Sequence, residues 1–383
     1  MKQAILLLLT ILLVLTSCHG GRRDGVAGTG DTLQLKYATL LTIVDYDGYS
    51  VASIANPWKK DKVLHTYVLI PRDESGNGEQ PASFDGVTGN YSVIHTPIQH
   101  AAIFTTVHCS LVMTFGCGNR IAGVADLDYI KIPWIHEQVA KGRIIDCGGG
   151  LNPVVEKIID TKPDIIMLSP FENSGGYGKM EELDIPIMEC AEYMESSPLA
   201  RAEWMKFYGR LFGRQSMADR LFAVVDSSYH ALKAQAEKAG PGRSVLVDKL
   251  VGSVWYVPGG KSTIGQMIQD AGASYVWGSD DHSGSLSLPF ETVLEKAGES
   301  ELWLYRYSSD HAQTLHELLS EYHGYSQLRP FQTGEVYGCN VEKSLFYEES
   351  PFRPDYLLCD FIRLFHPDMT ELPPLRYYEK LNP

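Results

Sequence analysis

Beyond its first seventeen residues the sequence has no apolar run of the roughly 20 residues that a membrane span needs. Catalytic signatures are missing as well. Gly148-Gly149-Gly150 follows an apolar strand pattern but is not GxGxxG, and neither a phosphate-cradling GxxxxGK nor a GxSxG elbow occurs. The 12 histidines form no HExxH and no HxH pair, so a metalloenzyme would have to gather isolated ligands. Positive charge is in deficit: 33 Lys and Arg stand against 47 Asp and Glu, a net −14 that argues against a nucleic-acid partner. The seven cysteines include no CxxC. With Cys18 set aside, Cys109, Cys117, Cys147, Cys190, Cys339 and Cys359 show no metal-ligand spacing, and both disulfides and buried thiols remain open for them.

What is present begins with Lys2 and the run Ala4 to Leu15, broken only by Thr10. A positive start followed by about 7 to 15 apolar residues is the pattern of an export signal. Leu15-Thr16-Ser17-Cys18 resembles the bacterial lipobox. That resemblance implies cleavage before Cys18, a lipid on its thiol, and a protein anchored by this lipid alone on the periplasmic side of a bacterial membrane. Residues 1–17 are expected to be signal peptide, and the glycine-rich, polar residues 18–32 a lipidated tether. At 44% hydrophobic and 21% charged residues, the rest is ordinary globular material, long enough for two cored domains.

Residues 33–91 hold two β-rich runs, with a hairpin signal at Asp47-Gly48, and predict a small antiparallel addition. Over residues 92–196 short apolar strands (AAIFTT, GRIIDC, DIIMLS, IPIMEC) alternate with helical patterns, the signature of βαβ units around a buried parallel sheet. Ser197-Pro198 opens a helical stripe through Trp204, Tyr208, Leu211, Phe222 and Val225, predicting one long connecting helix over 197–239 with a kink at Gly213. A second βα array fills 240–383. The expected fold is therefore α/β: two Rossmann-like lobes joined by a long rigid helix, with a β-rich N-terminal addition.

Three elements carry a family resemblance. Asn152-Pro153-Val154-Val155-Glu156 is followed by Lys162-Pro163-Asp164-Ile165-Ile166, residues 255–277 run strand, glycine turn and helix to Ala271-Gly272, and residues 352–369 form a closing helix pattern. Together they resemble the periplasmic substrate-binding proteins of iron-siderophore and vitamin B12 ABC importers. The resemblance implies a receptor that performs no chemistry and has no resident cofactor or metal. It implies an iron chelate or a corrinoid as ligand, and delivery to an ABC permease and its ATPase. Haem or cobalamin in the same role stays open, as does an enzyme of chelatase-like or metallocluster type on a related two-lobed fold, or a surface adhesion protein. A bare metal ion is disfavoured by the lack of clustered His and carboxylate ligands. In the family one glutamate at each lobe tip meets the permease; the matching positions are Glu156 and Glu291.

A cleft between βα lobes is lined by loops at the carboxyl ends of strands. The candidate ligand contacts are accordingly Thr105, Thr106 and His108 in the first lobe, Ser169, Pro170 and Phe171 after the KPD strand, and Trp255, Tyr256, Tyr305, Arg306 and Tyr307 in the second. Flat aromatics suit a macrocycle or catecholate, and Arg306 an anionic chelate. A helix-start histidine such as His108 is read either as an iron ligand or as a backbone-bonded structural residue.

Overall fold

The structure is a computed structural model that describes residues 30–73, 83–84, 87, 89–172 and 176–383. Cys18, the expected signal peptide and the first part of the tether lie outside these residues. Strands β1 (Asp31–Thr32), β2 (Leu41–Tyr46), β3 (Tyr49–Ala55), β4 (Val63–Pro71) and β5 (Ser92–Thr96) form one sheet in that order. Asp47-Gly48 makes the expected two-residue turn, with Gly48 at φ +81° and Tyr46 paired to Tyr49. Two expectations need correction. The sheet is mixed, because β5 returns parallel to β4, and it reaches Thr96, past the boundary at residue 91. Side chains alternate between its faces: Ile43, Ile54, Tyr67 and Leu69 enter the main core, while Val51, Val68 and Ile70 form a small cluster behind. Arg210 grips Asp45 through paired contacts of 2.6 and 3.0 Å, tying the sheet to the helices that follow.

The first lobe runs β6 (Ala101–Ile103), α1 (Thr106–Thr114), β7 (Ile121–Val124), α2 (Pro133–Ala140), β8 (Ile145–Asp146), a hairpin of β9 (Gly148–Gly149) and β10 (Asn152–Pro153), α3 (Val155–Asp160), β11 (Ile165–Leu168) and β12 (Ile187–Glu189). Its sheet, β12-β11-β6-β7-β8, is wholly parallel. β6 and β11 are buried along their length, as strands covered on both faces must be.

Where one long helix kinked at Gly213 was expected, the connection is three helices, with its turn at Gly213 and a long final segment. It consists of α4 (Pro198–Glu203), α5 (Met205–Leu211) and α6 (Gln215–Ala239), the last 25 residues long. Ser197 caps α4 by accepting the Ala200 amide at 3.1 Å, with Pro198 at the first position. Gly213 adopts φ +65°, a conformation no helix interior tolerates, and the chain turns there. Beyond the turn, Ala218, Phe222, Val225, Tyr229 and Ala236 keep a buried stripe at helical spacing along the spine.

Two buried carboxylates of this connection hold the N-terminal arm. Glu203 accepts the amides of Lys36, Tyr37 and Ala38 at 2.9, 2.7 and 3.0 Å. Glu195 accepts those of Thr39 and Leu40, both at 2.9 Å, and the Trp204 indole at 2.9 Å. Each charge sits within a fan of donors, which is what makes its burial tolerable. Burial alone would raise the Glu203 pKa; the Ala38 and Lys36 amides outweigh it and hold the carboxyl below its ordinary range.

The second lobe comprises β13 (Val245–Val247), β14 (Leu250–Val251), β15 (Val254–Pro258), α7 (Thr263–Asp270), β16 (Ser285–Leu288), α8 (Phe290–Ala297), β17 (Leu302–Tyr307), α9 (Leu315–Glu321), α10 (Arg329–Thr333), β18 (Val336–Asn340), α11 (Phe346–Glu349), α12 (Pro354–Phe365) and β19 (Glu379–Lys380). β13, β17 and β18 are parallel, β19 closes the edge antiparallel, and β14-β15-β16 form a separate antiparallel sheet. The architecture is thus α/β, two lobes on a helical spine with a β-rich N-terminal sheet.

Candidate functional site

All strands of the first parallel sheet direct their carboxyl ends to one edge, and the loops leaving that edge enclose a hollow of about 490 Å³. Phe104 follows β6, Asp126 follows β7, Ser169 and Phe171 follow β11, and Tyr177 and Lys179 close the far side. Asp126, at φ +52°, accepts the Gly150 amide at 2.9 Å. This contact holds the β9–β10 hairpin against the sheet and leaves Leu151, 81% exposed, on the rim. The walls are largely aromatic and aliphatic, with one acid and one base. Such a surface suits a flat or cyclic organic ligand whose polar groups meet Asp126 and Lys179. A second hollow, about 980 Å³, lies where the N-terminal sheet meets β12 and is more polar, lined by His65, Arg72, His95 and Glu189. Burial raises the Glu189 pKa, and the Tyr177 hydroxyl donates to that carboxylate at 2.6 Å.

Of the eleven ligand contacts named from sequence, Ser169 and Phe171 line the first hollow, and Phe171 is 49% exposed. Pro170 between them is buried, its carbonyl accepting the Tyr193 hydroxyl. The second-lobe residues do not join them, because every described lining residue belongs to the first lobe. Trp255 is a core residue: fully buried, it lies beside Trp303 with ring centroids 5.7 Å apart and donates its indole N–H to the Val247 carbonyl at 2.9 Å. Tyr305 is buried as well, its hydroxyl donating to Gln313 at 2.8 Å. Arg306 is committed to Asp248 at 2.9 Å, and the Tyr307 hydroxyl accepts the Gln313 amide at 3.0 Å. Tyr256 is exposed, but on the small antiparallel sheet.

The first-lobe trio is engaged elsewhere too. Thr106 donates to Glu348 of the second lobe at 2.8 Å, and Glu348 also accepts the Lys131 amide at 3.0 Å. Lys131 in turn pairs with Glu342 at 2.5 Å, so the lobes are latched on this side. Thr105 contacts Nδ1 of His108, whose ring is 1% exposed. The other ring nitrogen stands 3.4 Å from Glu192, beside Cys190. Burial disfavours the imidazolium, but Cys190 and Glu192 outweigh it and hold His108 up at about 10. His108 therefore bonds a side chain and faces an acid, instead of capping backbone. The six described cysteines are all unpaired thiols.

Sequence reasoning missed Phe104, Asp126, Leu151, Tyr177 and Lys179. Phe104 and Asp126 were findable, since they lie one and two residues past strands of the parallel sheet. Tyr177 closes the glycine-rich loop after β11 that the sequence already marks as a possible cleft wall, and Lys179 lies just beyond it.

A family model for periplasmic binding proteins matches residues 115–342. An uncharacterized lipoprotein of Methanocaldococcus jannaschii is 25% identical over 367 residues, which span 91% of this chain and 85% of the relative. Among solved structures, a periplasmic heme binding protein from Pseudomonas aeruginosa superposes with a TM-score of 0.55 at 15% identity, covering 75% of this chain and 99% of its own. An ABC-type Fe3+-hydroxamate transport system protein from Saccharomonospora viridis gives a TM-score of 0.55 at 17% identity, covering 70% and 93%.

Proposed function

Because the chain belongs to the periplasmic binding protein family, whose members bind solutes and are not enzymes, we propose that it is the lipid-anchored receptor for an iron chelate that it hands to an ABC permease. The observation that carries this reading is the aromatic-walled hollow of about 490 Å³ at the carboxyl ends of the first-lobe strands. Its volume and mixed lining match a siderophore-sized organic complex better than a bare ion. Ligand contact falls to Phe104, Phe171 and Tyr177, with Asp126 and Lys179 orienting polar groups. Haem and cobalamin are the second reading, favoured by the same aromatic walls and by the haem-binding neighbour. No resident cofactor is needed in either case, and the permease would work with its own ATPase.

Titration with a panel of ferric siderophores, haem and cobalamin, followed by tryptophan quenching, tests the ligand class. One member should bind tightly, and Phe171→Ala should weaken it about tenfold, the worth of one aromatic contact near 1.4 kcal/mol. Unchanged affinity in that variant would move the ligand out of this hollow.

Anchoring is proposed at Cys18. Cys18→Ala should abolish incorporation of labelled fatty acid, because a single acylated cysteine is the only lipid attachment this reading provides. Continued labelling of the variant would place the lipid elsewhere.

A further inference from the structure

His108, Cys190 and Glu192 meet in the interior although the sequence separates the first from the others by more than eighty positions. His108 lies in the first turn of α1 at the end of β6, and the other two follow β12. Their donor atoms all lie within 4.8 Å of one another, and all three residues are buried. Tyr208 of α5 and Phe352 of the second lobe close over the imidazole, ring centroids 4.9 and 6.1 Å away. None of the described residues that line the ligand hollow belongs to this group.

His108 Nε2 is buried and makes no hydrogen bond, yet it faces Glu192 Oε2 at 3.4 Å. Thr105 Oγ1 sits on the opposite nitrogen, Nδ1. The buried Arg201 guanidinium also acts on Glu192 electrostatically, its Nε making no hydrogen bond. If Nδ1 carries the proton and donates to Thr105, a lone pair on Nε2 points at a carboxylate, two acceptors face to face. That tautomer calls for a cation between them, a proton or a metal ion, whereas a Thr105 hydroxyl that donates to Nδ1 leaves Nε2–H facing Glu192 and calls for none. With a proton there, the Cys190 thiol keeps its contact to the Met188 carbonyl at 3.6 Å and takes no part. A metal uses all three donors: imidazole nitrogen, thiolate sulfur and carboxylate oxygen are the ligand types of zinc-class sites. The spacing is within reach, since ligands about 2.0 to 2.3 Å from a shared tetrahedral ion lie roughly 3.3 to 3.8 Å apart, and a pair at the 4.8 Å limit has to draw in by about 1 to 1.5 Å.

The outer contacts fit as well. A metal-bound imidazole donates its other N–H to a partner that fixes the ring, the position Thr105 holds. A ligating carboxylate is itself hydrogen-bonded, and the Tyr208 hydroxyl donates to Glu192 Oε2 at 2.7 Å.

We propose that His108 Nε2, Cys190 Sγ and the Glu192 carboxylate form a resident site for a zinc-class divalent cation at the junction of the first lobe, the spine and the second lobe. The ion is a resident one, since all three donors are buried. The proposal stands apart from the identity of the transported ligand and survives if the chelate reading fails.

Cobalt(II) is the probe, because thiolate ligation gives it a near-ultraviolet charge-transfer band and tetrahedral sites give it intense visible bands. The whole protein, stripped with a chelator, should take up one cobalt per chain with both signatures, and zinc should bleach them. Cys190→Ser should lose the charge-transfer band, and Glu192→Gln, which keeps the side-chain shape, should weaken binding at least about tenfold. Cys359→Ser, on α12 of the second lobe and outside the donor group, should retain one ion per chain and both signatures. No charge-transfer band in the wild type would overturn the site and leave a proton on Nε2. A band that persists in Cys190→Ser would overturn it too, assigning the thiolate to another cysteine.

Discussion

Glu203→Ala is expected to destabilise the fold by about 3 to 5 kcal/mol, the range for removing one side of a buried, hydrogen-bonded charge. Its carboxylate is the acceptor for three successive amides, those of Lys36, Tyr37 and Ala38, and for the Lys206 ammonium at 2.9 Å. Alanine leaves the donors without a partner and opens a space the arm cannot refill. Glu203→Gln keeps one acceptor oxygen and should cost about half as much. The pH dependence has a definite sign. Glu203 titrates lower in the folded chain than the unfolded value of about 4.3. Its contribution is therefore fully present above that value and is lost as pH falls through the folded one. Urea midpoints of the wild type should be level near neutrality and drop below about pH 4, and the glutamine variant should show a shallower drop. Amide exchange at residues 36–40 should accelerate in both variants. A loss under about 0.5 kcal/mol for the alanine variant would show that water replaces the carboxylate freely.

The second large effect concerns delivery to the permease. Glu156 and Glu291 are each the second residue of a short helix, α3 in one lobe and α8 in the other, and both are exposed. Neither is held by an ion pair or a side-chain hydrogen bond among the described residues, so both carboxylates are available to an external arginine. At a helix start a negative charge is favoured by the backbone dipole, which stabilises the unbound state without a local cation. Exposed Val154 and Ile159 flank Glu156, giving that tip an apolar rim. The equivalence of the two positions is what a two-point docking scheme requires. Glu156→Arg and Glu291→Arg should each slow uptake in reconstituted vesicles while leaving ligand affinity intact, and the double variant should nearly abolish transport. Normal uptake by the double variant would remove these residues from the docking surface. Lost ligand affinity would place them in the binding site.

Periodicity served well wherever burial alone chose the residues. The parallel strands AAI, IIML and IME, the hairpin at Asp47-Gly48 and the cap at Ser197 all follow from local pattern and turn chemistry. The connecting helix followed in part: its 25-residue spine and the turn at Gly213 were legible, but helical spacing continues across Gly213 and hides a full break, where φ is +65° and a Cβ would come within 3.1 Å of Pro97. The binding residues were hardest. A strand end in a sequence says where a side chain leaves the sheet but not whether it turns inward, and Trp255 and Tyr305 turned into the aromatic core around Trp303 and Tyr325. The His108, Cys190 and Glu192 group was invisible for a different reason. Its spacing carries no signature, and only the parallel sheet, which sets β12 two strands from β6, brings it together.

The arm at residues 36–40 also decides how the molecule bears load. Lys36 reaches Asp226 of α6 at 2.9 Å and the Tyr37 hydroxyl reaches the same carboxylate at 2.6 Å, so the arm is moored to the spine as well as to Glu195 and Glu203. Ahead of it, Asp31 and Thr32 of β1 are paired with the sheet and the Leu33 amide donates to the Ile43 carbonyl at 2.9 Å. A pull on the chain upstream of Gly30 would peel that short stretch and then stop at the spine, which joins the two lobes. Tension from any upstream attachment is thereby grounded at the centre of the molecule, and neither lobe is dragged out of register with the other.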